Sequence, residues 1–255
     1  MSASADATPS LEIQGAEMFA RYAYAPNALG YCGPPEARLR SASVDDVRAA
    51  AGQFSGAWPY LQVLARMTGI ADPLDLRLVE SYWLGGGVAA GLDPEEFTAE
   101  LLAVIGPQAG HYWPHLSADL ADEAAGNHCF HVFGVYPWSR LLGRGLDEHP
   151  LRVLDSCRIS WATVVSRNSG EVQVRRRMLR WDGQALGLSE PALCRLEVWK
   201  DDYSAVPDVA VGDRVAVHWG RMCGRLTEHQ LRALRDSTTR QLRVTNERLA
   251  RDRQG

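Results

Sequence analysis

Apolar residues recur at helical spacing through the first half of the chain and in short alternating runs through the second. From Val44 onward, Val47, Ala51, Phe54, Trp58 and Leu61 follow at intervals of three or four, which predicts one buried helical face. A second helix is predicted from Asp72-Pro73, an N-cap followed by the residue whose fixed φ suits the first helical position. It carries Val79, Tyr82 and Trp83 and ends at Gly85-Gly86-Gly87. A third begins at Asp93, with Glu96 placed to complete a capping box and Leu92 and Phe97 placed as a hydrophobic staple. Another helix is predicted over Leu116 to Ala125.

Beyond about residue 150 the texture changes. Leu151–Ile159, Ala162–Val165, Val172–Leu179, Ala192–Trp199 and Arg214–Trp219 read as strands. They are separated by turn signals such as Asn168-Ser169-Gly170, Trp181-Asp182-Gly183 and Val211-Gly212-Asp213. Five strands in this length predict a small OB-like barrel. A long helix follows, opened by a Thr227/Gln230 capping box and striped by Leu231, Leu234, Thr238, Leu242, Thr245 and Leu249. The expected fold class is therefore α+β. A leader without regular structure covers residues 1–14 and a helical domain covers 15–150. A β-barrel with a C-terminal helix covers 151–255.

Charge sharpens this division. Residues 1–150 hold 8 Lys and Arg against 18 Asp and Glu, whereas residues 151–255 hold 19 against 13. The net charge of −4 argues against general nucleic-acid binding, while the basic C-terminal half could dock on an acidic protein. A solvated, Arg-rich helix face accounts for the same residues. Apolar runs fall far short of the roughly 18–20 residues that span a membrane. Residues 1–14 carry neither the basic nor the apolar part of a secretory signal, so the expected location is the cytoplasm. Cys32, Cys129, Cys157, Cys194 and Cys223 are odd in number and scattered, which suits free thiols, ligands or core residues rather than a disulfide framework.

The chain has no dinucleotide-binding Gly-x-Gly-x-x-Gly, P-loop, nucleophile elbow or Cys-x-x-Cys. Its densest set of ligand-type residues is His128-Cys129-Phe130-His131. On a helix, His128 and His131 would share a face and could hold one ion; on a strand they would point apart. Gly134 and Pro137 leave both options open, as does the plainer role of hydrogen-bonded core histidines. Arg21 to Pro34 is aromatic and turn-rich and contains Tyr24 and Cys32, either a loop lining a site or a loop packing its own tyrosines. Cys157 and His218 lie 61 positions apart, so only the fold could join them; a thiolate with an imidazole suits iron, zinc or copper.

The stretch Val211-Gly212-Asp213-Arg214-Val215-Ala216-Val217-His218-Trp219-Gly220, followed by Arg221-Met222-Cys223-Gly224-Arg225-Leu226, resembles the end of the HypC-type hydrogenase maturation chaperones. Cys157-Arg158-Ile159, Ala162–Val165 and Gly170–Val174 occupy the order of that family's opening, and the resemblance covers about residues 155–235. It implies a HypC-like barrel in which Cys157 and His218 hold iron carrying CO and cyanide. The implied partner is the hydrogenase large subunit or another maturation protein, and the implied role is a non-catalytic accessory one. The whole chain also resembles an uncharacterised bacterial family, through Phe19–Tyr24, Pro26–Pro34 and Phe130–Trp138. Two alternatives stand beside this reading. One is a metal-dependent enzyme built from Cys32, His128 and His131 with Tyr24 or Tyr136, Cys223 standing apart as a secondary site candidate. The other is a metal-free scaffold that binds protein through its basic helix.

Overall fold

The computed structural model describes residues 9–37, 39–40, 43–109 and 113–254. Five helices of two turns or more build the first half: α1 (Leu11–Ala28), α2 (Val44–Ala51), α3 (Ala57–Thr68), α4 (Leu76–Leu84) and α5 (Pro94–Ala109). The short α6 (His128–Phe130) runs into a π-helical turn, His131–Val135. Then come α7 (Glu148–Cys157) and the strands β1 (Ser160–Arg167), β2 (Glu171–Arg176), β3 (Leu179–Trp181), β4 (Leu186–Leu188), β5 (Ala192–Glu197), β6 (Arg214–His218) and β7 (Arg221–Arg225). The 25-residue α8 (Glu228–Asp252) closes the order, an α+β arrangement of helices, antiparallel sheet and final helix.

Local chemistry explains several boundaries. The Thr227 hydroxyl accepts from the Gln230 amide and the Gln230 side chain returns to the Thr227 amide, so the expected capping box starts α8. Asp93 caps α5 through the Glu96 amide at 2.9 Å. The face expected to run from Val47 to Leu61 is divided between α2 and α3, because the chain turns through Gly52 to Gly56 while keeping Phe54 in the core. Asp72-Pro73 is a turn in which Asp72 Oδ1 accepts from Leu74; α4 starts later, capped by Asp75 through the Arg77 amide. A 3-10 turn at Ala118–Asp122 stands where a helix over 116–125 was expected. α1 begins at Leu11, inside the expected leader; residues 1–8 lie outside the described residues.

Two expectations for the second half need larger correction. Leu151–Ile159 is not a strand: Pro150, Val153, Leu154 and Cys157 are buried at helical spacing, so α7 ends on Cys157. The five longer strands form an open antiparallel sheet in the order β5-β2-β1-β6-β7, not a closed barrel. It curls around a core of its own that includes Val164, Val174, Leu196, Val215 and Val217. The edge strands meet through an Arg221–Glu197 ion pair at 2.6 Å, without a ladder between them. β3 and β4 form a separate hairpin against α7 and α8, fixed where Asn246 bonds both the amide and the carbonyl of Leu186.

The two halves share their cores. Phe19, Tyr60 and Leu64 belong to the same buried cluster as Ile159, Ala216 and Leu231. Arg248 of α8, itself buried, donates to Glu123, to the Phe133 carbonyl and to the Ser139 hydroxyl, which locks the last helix onto the π-helical turn. No helix among the described residues is long and apolar enough to cross a membrane.

Candidate metal centre

Antiparallel pairing brings Cys157 and His218 together. β1 and β6 pair with Ser160 opposite Val217, so the residues just before β1 face the end of β6. The Trp219 amide bonds the Ser156 carbonyl at 2.9 Å and draws the two chain segments together. His128 joins them from α6. Asn127 caps that helical turn by accepting from the Phe130 amide, which settles the helical option for the His128–His131 stretch. His128, Cys157 and His218 each offer a ligand atom, and these atoms all lie within 4.8 Å of one another. All three residues are buried.

Hydrogen bonds fix the histidine tautomers. His218 Nδ1 lies 2.8 Å from the Tyr22 carbonyl, which can only accept, so Nδ1 carries the proton. Its Nε2 lone pair is buried without a hydrogen-bond partner. His128 Nε2 donates to the Cys157 carbonyl at 2.9 Å, and Nδ1 accepts from the Tyr82 hydroxyl at 3.1 Å. In this tautomer both His128 nitrogens are engaged; to hold a metal through Nε2 the proton must move to Nδ1, with Tyr82 turning acceptor, and the Nε2 bond to the Cys157 carbonyl must be given up. A carbonyl or hydroxyl behind each imidazole is the support that metal-ligating histidines use.

Burial sets the protonation of these groups. It lowers His218 to about 4 and His131 to about 3. His128 falls well below its usual value, through burial first and then His218 and His131. All three imidazoles are therefore neutral near pH 7, the form that binds metals. Burial raises the Cys157 thiol, with Cys32 adding to the effect and the Trp219 side chain opposing it. A metal entering here must displace the thiol proton.

The cluster forms part of the wall of a cavity of about 260 Å³. Cys32, His131 and Tyr136 line the same cavity, so residues assigned to rival sequence readings occupy one site. Cys32 is held on a loop after α1 because Asn27 donates to the carbonyls of Cys32 and Pro34, at 3.0 and 2.9 Å. That loop needs Gly33, where φ is +76° and a Cβ would lie 2.3 Å from the Phe54 ring. Tyr24 and Cys223 are not among the lining residues. Tyr24 packs on Tyr203 with ring centroids 4.8 Å apart, and Cys223 is buried in the shared core, its thiol raised to about 12 by burial.

Aromatic side chains that the sequence reading did not assign to a site complete the cavity. Tyr82 and Trp83 come from α4, Trp113 from a connecting segment, Trp138 from a 3-10 turn at Pro137–Leu141, and Tyr31 and Trp219 stack at 3.9 Å. Trp219 and Gly220 form the two-residue turn between β6 and β7, both with positive φ (48° and 73°). A tryptophan in this region is strained, and its place over a cavity is the kind of site where strain is retained. The signal was present in the sequence as Trp219-Gly220 directly after His218.

Residues 11–252 match DUF6390, a family of unknown function. No curated protein and no solved structure matches the chain.

Proposed function

We propose a function for this chain, which belongs to the DUF6390 family: it holds a transition metal at His128, Cys157 and His218, as an accessory protein of metallocentre assembly. The observation that carries this reading is the convergence of two imidazoles and a thiol on one point beside an uncharged cavity. A thiolate with neutral imidazoles suits iron, zinc or copper. The HypC-type resemblance, which singles out Cys157 and His218, favours iron carrying CO and cyanide. Three protein ligands leave coordination positions for such diatomic groups, and an apolar wall excludes water from them. One difference from the HypC pattern shapes the role. Cys157 is buried at the end of α7, so it cannot reach into a partner's cleft, which favours holding the iron fragment over delivering it. A docking partner such as a hydrogenase large subunit or another maturation protein would have to approach the cavity mouth at Tyr31 and Trp219.

A second reading has an observation of its own. His131 lines the same cavity and its buried Nδ1 has no hydrogen-bond partner, which suits a metal-assisted reaction on a small molecule using Cys32, His128 and His131. Oxygen-free purification followed by metal analysis and infrared spectroscopy separates the two. Stoichiometric iron with cyanide and carbonyl bands, lost in Cys157→Ala, supports the holding role. A metal without those bands supports the second.

A further inference from the structure

We infer that the cavity beside the metal centre binds a small, neutral aromatic molecule bearing one hydroxyl or ring N–H, with His131 as its hydrogen-bond partner. The inference deepens the reading of this cavity as a functional site, and it does not depend on the metal.

Size, charge and polarity each narrow the ligand. A cavity of about 150 Å³ holds benzene, so the roughly 260 Å³ here admits a substituted single ring or a small fused pair. The residues lining it include no Asp, Glu, Lys or Arg, so nothing compensates a carboxylate, phosphate or ammonium on the ligand. Its walls are largely tyrosine, tryptophan and phenylalanine, whose ring faces and edges receive another ring in stacked or edge-on contact.

His131 supplies the polar handle. It is 5% exposed, and its Nδ1 has no hydrogen-bond partner. Its Nε2 stands over Gly56, so close that a Cβ there would lie 2.8 Å away. A buried imidazole nitrogen without a partner is costly, and the ring's other nitrogen, Nε2, is the one left to meet a ligand. The rings of Tyr60 and Tyr136 hold its plane, with centroids 5.4 and 4.2 Å from its own. A planar ligand lying in the cavity with its hydroxyl or N–H toward this histidine uses both features at once.

The test is titration of metal-free protein with phenol, toluene and benzoate, read by tryptophan fluorescence and calorimetry. Phenol is expected to bind about tenfold more tightly than toluene, the worth of one buried hydrogen bond, and benzoate not to bind. His131→Phe is expected to erase the phenol advantage while leaving toluene unchanged, and His131→Gln to restore part of it. His218→Ala removes the other unpartnered imidazole nitrogen in the cavity wall and the metal with it; the phenol advantage over toluene is expected to survive there, and its loss in His218→Ala but not in His131→Phe would overturn the proposal. Equal binding of phenol and toluene by the unaltered protein overturns the proposal. Binding of neither, or binding of benzoate as tightly as phenol, does the same.

Discussion

His218 Nδ1 donates to the carbonyl of Tyr22, 2.8 Å away across 196 positions of sequence. This bond ties the first helix to the end of β6 and points the opposite nitrogen toward Cys157. His128 would gain the comparable support from Tyr82, 3.1 Å from its Nδ1, once that nitrogen carries the proton. Tyr82→Phe removes that support and changes little else, because the ring stays in the core. Metal affinity is expected to fall about 10- to 100-fold in a chelator competition, with the far-ultraviolet circular dichroism unchanged.

The metal-free protein should lose stability in acid. His218 at about 4 and His131 at about 3 lie below the ordinary histidine value near 6.5. The unfolded chain therefore takes up protons that the folded one refuses. Stability is complete above about pH 6.5 and falls as the pH drops from there toward about 4. Each such imidazole adds up to about 1.4 kcal/mol per pH unit to that slope. Urea midpoints across this window should show the decline, and His131→Phe should make it shallower.

Trp219 closes the cavity in a backbone conformation that favours glycine or asparagine. Trp219→Asn keeps the turn and removes both the strain and the stack on Tyr31. Thermal stability is expected to change by less than about 1 kcal/mol, since relieved strain offsets lost burial. Metal loss to a chelator should become several-fold faster in stopped-flow measurements.

Asp155 holds α7 in place from within. It accepts from Arg158 at 2.8 Å, from Arg176 at 3.1 Å and from the Leu179 amide at 2.7 Å. All three side chains are buried. Asp155→Ala leaves two enclosed guanidiniums without their carboxylate. Urea denaturation should report a loss of about 3–5 kcal/mol.

Much of the framework was legible in the sequence because its signals are local. The Thr227 and Asp93 caps, the glycine stop after α4 and the stripe of α8 follow from hydrogen bonds within one helical turn. α7 was misread because Leu151–Ile159 is apolar enough for a strand; the helical spacing becomes plain once Pro150 is included. The barrel expectation failed on an edge pairing, since β5 and β7 approach through one ion pair and no ladder. The Cys157–His218 pair was visible only as types at a distance, and its meeting depends on the β1–β6 register. His128 was recognised as ligand-like but assigned elsewhere, because its neighbours on the chain did not fix whether the segment was helix or strand. The aromatic cavity was legible only in pieces, the aromatic loop that ends at Pro34 and Trp219-Gly220, as its rings come from several separate elements.

Cobalt titration of the metal-free protein tests the central claim most directly, because a thiolate bound to cobalt gives a ligand-to-metal charge-transfer absorption. One equivalent should produce that band in the unaltered protein and in Cys32→Ser. Cys157→Ser should abolish it and His218→Ala should weaken it strongly. No band, or a band that survives Cys157→Ser and vanishes in Cys32→Ser, would contradict a centre built on His128, Cys157 and His218.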